Sequence, residues 1–424
     1  MSSDQPRLNR TLGLSDAVLI GVGSMIGAGV YSVWSPATRS AGPLLLVGLA
    51  VAALVANVNA RSTARLARLY PESGGTYVYG RECLGPTWGF LAGWGFVAGK
   101  TASCAAMAST IGAYLLPEHT RPIAVAAIVV MTLINIGGIH RTVFVTRILL
   151  TLSAFVLLIV IVSGSSSSTF DAGSLWPLTD VTDDRSSIRQ MYDVLQSAGL
   201  LFFAFAGYAR IATLGEEVRD PVRNISRAIG IALSIVVVAY AAIGFTLLAT
   251  VSPSQIADVN DPLRLLVSSS TFDDLAPLVR FGAVIAALGA LLNLLPGVSR
   301  TAFAMARHRD LPNFFAKIDS RRSLPVRAEL TVAACAIAII LIFGLRNSIA
   351  LSGVGVLSYY SITHLSSLTL SSTGLQRLNA MVGLVGCVGL IACLPLSILL
   401  TGAVLLLVGV VGHSLHRRLT SPRS

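Results

Sequence analysis

Lys100 and Arg210 are charged side chains set inside long apolar runs, where a full charge is costly and marks a functional position by default. Lys100 stands in Ala98-Gly99-Lys100-Thr101-Ala102-Ser103, among small residues that let helices approach closely. An ammonium at that depth is disfavoured, so such a lysine is suited to carry a proton or to act as a built-in cation. Arg210 follows Phe203-Ala204-Phe205-Ala206-Gly207-Tyr208 and suits an ion pair, with Glu216 as one partner in reach, or a gate against an aromatic face. The same stretch and Gly23-Ser24-Met25-Ile26-Gly27-Ala28-Gly29 put glycines where an apolar helix interior is weakened by them. Interrupted helices in lipid survive only where protein or a water-filled cavity takes up the freed peptide groups.

Other chemistries find no support. The cysteines Cys83, Cys104, Cys335, Cys387 and Cys393 form no CxxC pair, and no His/Cys/Asp/Glu group has metal-ligand spacing. There is no Walker loop, no assembled nucleophile and base, and no expected cofactor. His364 lies within an apolar run, where hydrogen bonding inside a bundle is the ordinary role. Glu216-Glu217 with Arg219 and Arg223 reads as a charged cytoplasmic helix end, solvated or ion-paired, ahead of a catalytic carboxylate pair.

The elements that must position these groups are membrane helices. The chain of 424 residues is 54% hydrophobic and 12% charged, against about 25% charged in soluble domains. Its apolar runs predict an all-α polytopic membrane protein of about twelve crossings: 15–38, 43–69, 86–116, 121–140, 143–163, 194–217, 226–250, 278–307, 328–346, 348–370, 378–395 and 396–413. The last pair shares the break at Pro395. With a cytoplasmic N-terminus, 22 of the 31 lysines and arginines fall inside and 7 outside, as the positive-inside rule requires. The net charge of +11 therefore reflects topology, with no compact aromatic-interleaved patch of the kind that binds nucleic acid. Both termini are expected in the cytoplasm of an inner or plasma membrane, and Trp176-Pro177-Leu178 is expected on its outer surface.

The breaks fall in the first and sixth crossings. An odd number of crossings between them inverts the second half, the pattern of a five-plus-five inverted repeat with discontinuous helices 1 and 6 and two appended helices. Residues 1–163 form the first repeat, 164–193 an outer loop, 194–370 the second repeat, and 371–424 the last two helices and tail.

Several motifs in sequence resemble the amino acid–polyamine–organocation (APC) superfamily, up to about residue 370. They are Gly23 to Tyr31; Pro71-Glu72-Ser73-Gly74-Gly75-Thr76-Tyr77-Val78-Tyr79, then Leu84-Gly85-Pro86 and Gly93-Trp94; Phe202 to Tyr208 with Glu216-Glu217-Val218-Arg219-Asp220-Pro221; and Ser299-Arg300 before Ala304-Met305-Ala306-Arg307. The resemblance implies a LeuT-like fold and a secondary transporter of amino acids or related amines, working by alternating access. Half-helix N-termini suit a carboxylate and unwound carbonyls suit an ammonium. On that basis the amides of Gly27, Ala28 and Gly29, beside Ile26, are assigned to a substrate carboxylate. The carbonyls of Met25, Phe203 and Ala206, beside Gly207, are assigned to its amino group. Phe203 and Phe205 are candidate walls or gates.

Where the family often carries an acid, two positions after the sixth-crossing glycine, this chain has Ala209. A neutral or anionic zwitterion is therefore expected ahead of a cation. Some relatives place a lysine in the fifth crossing at a position near Ser153 here, and Lys100 is a candidate to replace it from another helix. The eighth crossing reads Leu288-Gly289-Ala290, with Asn293 as the nearby polar side chain, so a proton is preferred to sodium as the coupling ion. Symport is the leading mode; exchange without an ion, and a transporter-like sensor, remain alternatives.

Overall fold

A computed structural model describes residues 10–175, 187–319, 324–342, 345–394 and 396–420. Trp176-Pro177-Leu178 and Pro395 lie outside the described residues. The first crossing comprises α1 (Leu14–Met25), α2 (Ala28–Ser32) and α3 (Trp34–Ala41); α4 (Leu45–Leu69) returns. A short α5 (Thr76–Leu84) leads to the long α6 (Pro86–Leu115), then α7 (Thr120–Ile136) and α8 (Ile139–Ser165). The second half opens with α9 (Ser187–Phe205) and α10 (Ala209–Ala212), followed by α11 (Pro221–Thr250). Two short helices, α12 (Pro253–Asp258) and α13 (Pro262–Ser268), precede α14 (Ala276–Arg307), α15 (Val326–Ile342) and α16 (Leu345–Thr369). The chain closes with α17 (Gly374–Ala392) and α18 (Leu396–Thr420).

Each of the twelve apolar runs falls on one helix or on two or three helix pieces, and the protein is an all-α polytopic membrane protein. Eight helical stretches among the described residues have both the length and the apolarity for a crossing. The others fall short for physical reasons. Helix α15 is 17 residues long and the apolar stretch of α18, Ile398–His413, is also in the 10–17-residue range, whereas α6 and α16, at 30 and 25 residues, carry serine, threonine and charged or imidazole groups inward.

The outside of the bundle is apolar, as lipid demands. On α8, Phe144, Ile148, Leu152, Phe155, Leu158 and Val162 recur every three or four residues and are exposed, while Thr146, Ser153 and Val160 face inward. The interior holds polar groups, among them Thr101, Thr110 and Asn135, which hydrogen-bond within the bundle.

The helices contact each other in equivalent pairs. Helix α1 packs on α11 as α9 packs on α4, and α6 packs on α16 as α14 packs on α8. Contacts that match themselves run between α6 and α14 and between α4 and α11.

Candidate functional site

The first crossing stops abruptly. Ile26 turns out of α1 at φ −74°, ψ 86°, and Gly27 is extended at φ −138°, ψ −154°, before α2 begins at Ala28. Any residue can adopt the extended Gly27 backbone, so the requirement there is space: a Cβ would lie 2.5 Å from the Cβ of Ala290. The amides of Ala28 and Gly29 open a helix and so have no partner within it.

The sixth crossing is interrupted more gently. It tightens into a 3-10 turn over Ala206–Tyr208 and resumes as the one-turn α10, with Phe205 and Tyr208 still in helical backbone. Gly207 is pressed onto the break of the first crossing, where a Cβ would stand 2.2 Å from the carbonyl oxygen of Ser24 and 2.7 Å from the amide nitrogen of Met25. Gly29 approaches Ala204 in the same way, with its Cβ position 3.2 Å from the Ala204 Cα. The two interruptions therefore lie backbone to backbone at one level of the bundle.

Three side chains from other helices bind the carbonyls at this crossing point. The Lys100 Nζ donates to the Ala206 carbonyl at 3.3 Å, and the Tyr360 hydroxyl reaches the same oxygen at 3.5 Å. The Tyr240 hydroxyl donates to the Met25 carbonyl at 2.8 Å and approaches that of Ala204 at 3.4 Å. So the Met25 and Ala206 carbonyls, assigned from sequence to a substrate ammonium, are held in this conformation by a tyrosine and by an internal ammonium. Phe205 is fully buried against the Tyr240 ring, with centroids 5.1 Å apart. Phe203 instead lines a cleft of about 80 Å³ with Ser32, Val33 and Leu200, and a recess of about 20 Å³ continues to Ala206. The recess has room for about one water.

Arg210 and Asn293 are brought together, one turn from the crossing point. The Arg210 Nε donates to the Asn293 carbonyl at 2.9 Å, and its Nη1 donates to Thr213 Oγ1 at 2.7 Å. The Asn293 side chain donates to the Gly289 carbonyl and accepts from Thr146, close to the Cβ position of Gly23. Ser153 is spent on its own helix, donating to the Leu149 carbonyl at 2.8 Å, and makes no contact with Lys100. His364 joins a buried polar cluster with Asn59 and Ser62 from α4.

The acidic partner of Arg210 differs from the one expected. Its Nη2 lies 4.0 Å from Glu217, while Glu216 pairs with Arg307 at 2.6 Å. Glu217 is buried and takes both Nε and Nη2 of Arg300, at 3.1 and 2.7 Å. Glu329 of α15 lies 3.6 Å from Arg300 on its other side. Glu216 and Glu217 are thus ion-paired and buried, and of the two readings of this helix end, solvated or ion-paired, the ion-paired one is what forms. The N-terminal segment seals the outside of it: Thr11 and Leu12 donate to the Glu217 carbonyl, and Arg219 donates to that of Leu12. Truncating one member strands a buried charge, at a cost of about 3–5 kcal/mol. Arg300→Leu is expected to unfold at markedly lower temperature, and the double variant Glu217→Leu/Arg300→Leu to recover part of that loss; equal stability of Arg300→Leu and wild type would contradict the pairing.

Sequence reasoning gave no role to Tyr240, Tyr360, Arg300 (named only in a motif) or Glu329. The last two were detectable, since an acid and a base inside apolar runs are marked by their cost. The tyrosines had no such signal, because a lone tyrosine in a membrane helix has many uses.

Residues 12–418 match the family described as amino acid permease. The chain belongs to that family, within the APC superfamily. It is 49% identical to an uncharacterized transporter of Mycobacterium tuberculosis, over 97% of this chain and 92% of the relative. It is 28% identical to the vacuolar cationic amino acid transporter 2 of Arabidopsis thaliana, over 86% of this chain and 60% of that protein. It is also 26% identical to the methylthioribose transporter of Bacillus subtilis, over 87% and 82% respectively. These relatives are named as transporters.

Proposed function

We propose that the chain is a secondary active amino acid transporter that works by alternating access as a proton symporter, favouring neutral or anionic zwitterions over cations. Residues 1–163 and 194–370 are its inverted repeats, loop 164–193 is external, and 371–424 supplies the last two helices and tail. Both termini lie in the cytoplasm of an inner or plasma membrane. The substrate carboxylate is held by the amides of Gly27, Ala28 and Gly29, next to Ile26. Its amino group takes the carbonyls of Met25, Phe203 and Ala206, next to Gly207, with Phe203 as wall.

The observation that carries this reading is the Lys100 ammonium on the Ala206 carbonyl. A protonated Lys100 occupies the acceptor proposed for the substrate ammonium, and a zwitterion that takes this carbonyl turns the lysine charge toward its own carboxylate. Substrate binding and the protonation of Lys100 thereby favour each other, the sign that symport requires. The relatives named for cationic amino acids favour a cationic substrate. Against them stands the Lys100 ammonium at the site, with Ala209 where the family often has an acid and with the nearest buried acids already paired to Arg300 and Arg307.

The test is uptake into liposomes containing the purified protein, with labelled alanine, leucine, glutamate and arginine. An inside-alkaline gradient is expected to drive saturable accumulation of a neutral or acidic amino acid, abolished by a protonophore. Preferential arginine uptake would overturn the substrate class. A requirement for internal amino acid would make the protein an exchanger, and binding without flux a sensor.

A further inference from the structure

On the outer surface of the bundle, away from the helix interruptions, α4 and α11 leave a cleft of about 360 Å³ between them. Its walls are single helix faces. Positions 57, 61, 64, 65 and 68 line it from α4, and positions 226, 229, 230, 233 and 234 from α11, the three- and four-residue spacing of one helical stripe. From Asn57 to Arg68 the groove runs about 16 Å along the helix.

Three arginines line the cleft and no acid does. Arg65 is committed elsewhere, capping the end of α16 through the carbonyls of Leu370 and Ser367. Arg68 donates to Ser226 Oγ at 2.7 Å, which holds it at the groove. Arg61 is exposed and makes no ion pair or hydrogen bond with any described residue. Two free guanidinium edges thus meet one cavity, the arrangement that recognises a phosphate group.

The groove is polar deeper than the arginines. Asn57 and Ser234 are exposed in it. Their surroundings are lipid-facing, since Leu54, Ile231, Ile235 and Val238 are exposed at 60%, 44%, 46% and 69%. Hydrocarbon offers an amide and a hydroxyl no hydrogen bond. Glycerol and ester oxygens, attached just below a phosphate, supply acceptors at that level. Gly230 leaves the cleft open, with no atom within 4 Å of an added Cβ.

We propose that this cleft is a binding site for an anionic glycerophospholipid of the inner leaflet. Its phosphate sits between Arg61 and Arg68, its glycerol–ester region on Asn57 and Ser234, and its acyl chain against the apolar flank of α11. Assignment to the inner leaflet rests on the proposed orientation; the binding itself does not, and it is measured without transport.

The purified full chain in detergent is titrated with phosphatidylglycerol, phosphatidylcholine or inorganic phosphate while thermal unfolding is followed. Phosphatidylglycerol is expected to raise the midpoint by about 3 °C, and the other two to leave it unchanged. In Arg61→Gln/Arg68→Gln the concentration needed should rise roughly tenfold or more. Gly230→Phe, which fills the cleft from the open side, should lose the shift while keeping the unliganded midpoint; should it not fold, the arginine pair still decides. An undiminished shift in the arginine variant, an equal shift with phosphatidylcholine, or full replacement of the lipid by inorganic phosphate would overturn the proposal.

Discussion

Lys100→Met is expected to remove the pH dependence of transport and to cut gradient-driven accumulation by an order of magnitude or more. The methionine fills most of the volume of the lysine but has no proton to exchange and cannot donate to the Ala206 carbonyl, now 3.3 Å from Nζ. In the wild type, a rising pH on the loading side deprotonates Lys100 and removes its attraction for the substrate carboxylate. Falling pH restores it. With methionine in place that attraction is absent at every pH, so substrate affinity should flatten across the range and fall where the lysine is charged. Exchange of substrate for substrate needs no proton and should survive. A Lys100→Met protein with the wild-type pH profile would remove Lys100 from coupling, whatever its effect on rate.

Gly27→Leu should abolish substrate binding in a protein that still inserts and folds. The side chain has nowhere to go: its first carbon already meets Ala290 at 2.5 Å, and the rest projects into the interruption. Overpacking of this kind costs about 1–3 kcal/mol, tolerable for a large bundle, whereas the proposed binding groups are backbone amides that the leucine would displace or cover. Gly207→Ala sharpens the comparison. Its Cβ would strike the backbone of Ser24 and Met25 at 2.2–2.7 Å, and backbone cannot rotate away as a side chain can. It should therefore lower stability as well as binding. Ligand-induced thermal stabilisation separates the two, and an unchanged amino acid-induced shift in Gly27→Leu would refute the amide assignment.

The fold was legible because lipid imposes it. Twelve apolar runs could be counted, since every backbone group inside a bilayer needs an internal partner and helices are the open-chain solution. The interruption at Ile26-Gly27 was legible for the same reason that Lys100 and Arg210 were: each violates the rule for a membrane helix, and violations stand out. What glycine does at 207 was less so. A sequence shows that a Cβ is missing, and both flexibility and close approach explain that equally; only the neighbouring Ser24 backbone decides for close approach.

Long-range partners were hidden altogether. Arg210 can reach several acids by spacing alone, and the choice of Glu217 depends on Arg300, 83 residues away, pulling that carboxylate inward. The Tyr240 hydroxyl bridges Met25 and Ala204 across 215 and 36 residues. Neither pairing leaves a local trace, because the hydrogen bonds are made by packing between helices. Ser153 shows the converse. Alignment pointed to it, but its hydroxyl is satisfied one turn back at Leu149.

The most direct measurement is a density map of the protein saturated with the amino acid that stabilises it best. The carboxylate should lie about 3 Å from the amides of Gly27 to Gly29, with the substrate ammonium on the Ala206 carbonyl and the Lys100 Nζ withdrawn from it. A ligand lodged away from the interrupted helices, or one bound with the Lys100–Ala206 contact intact, would contradict the account.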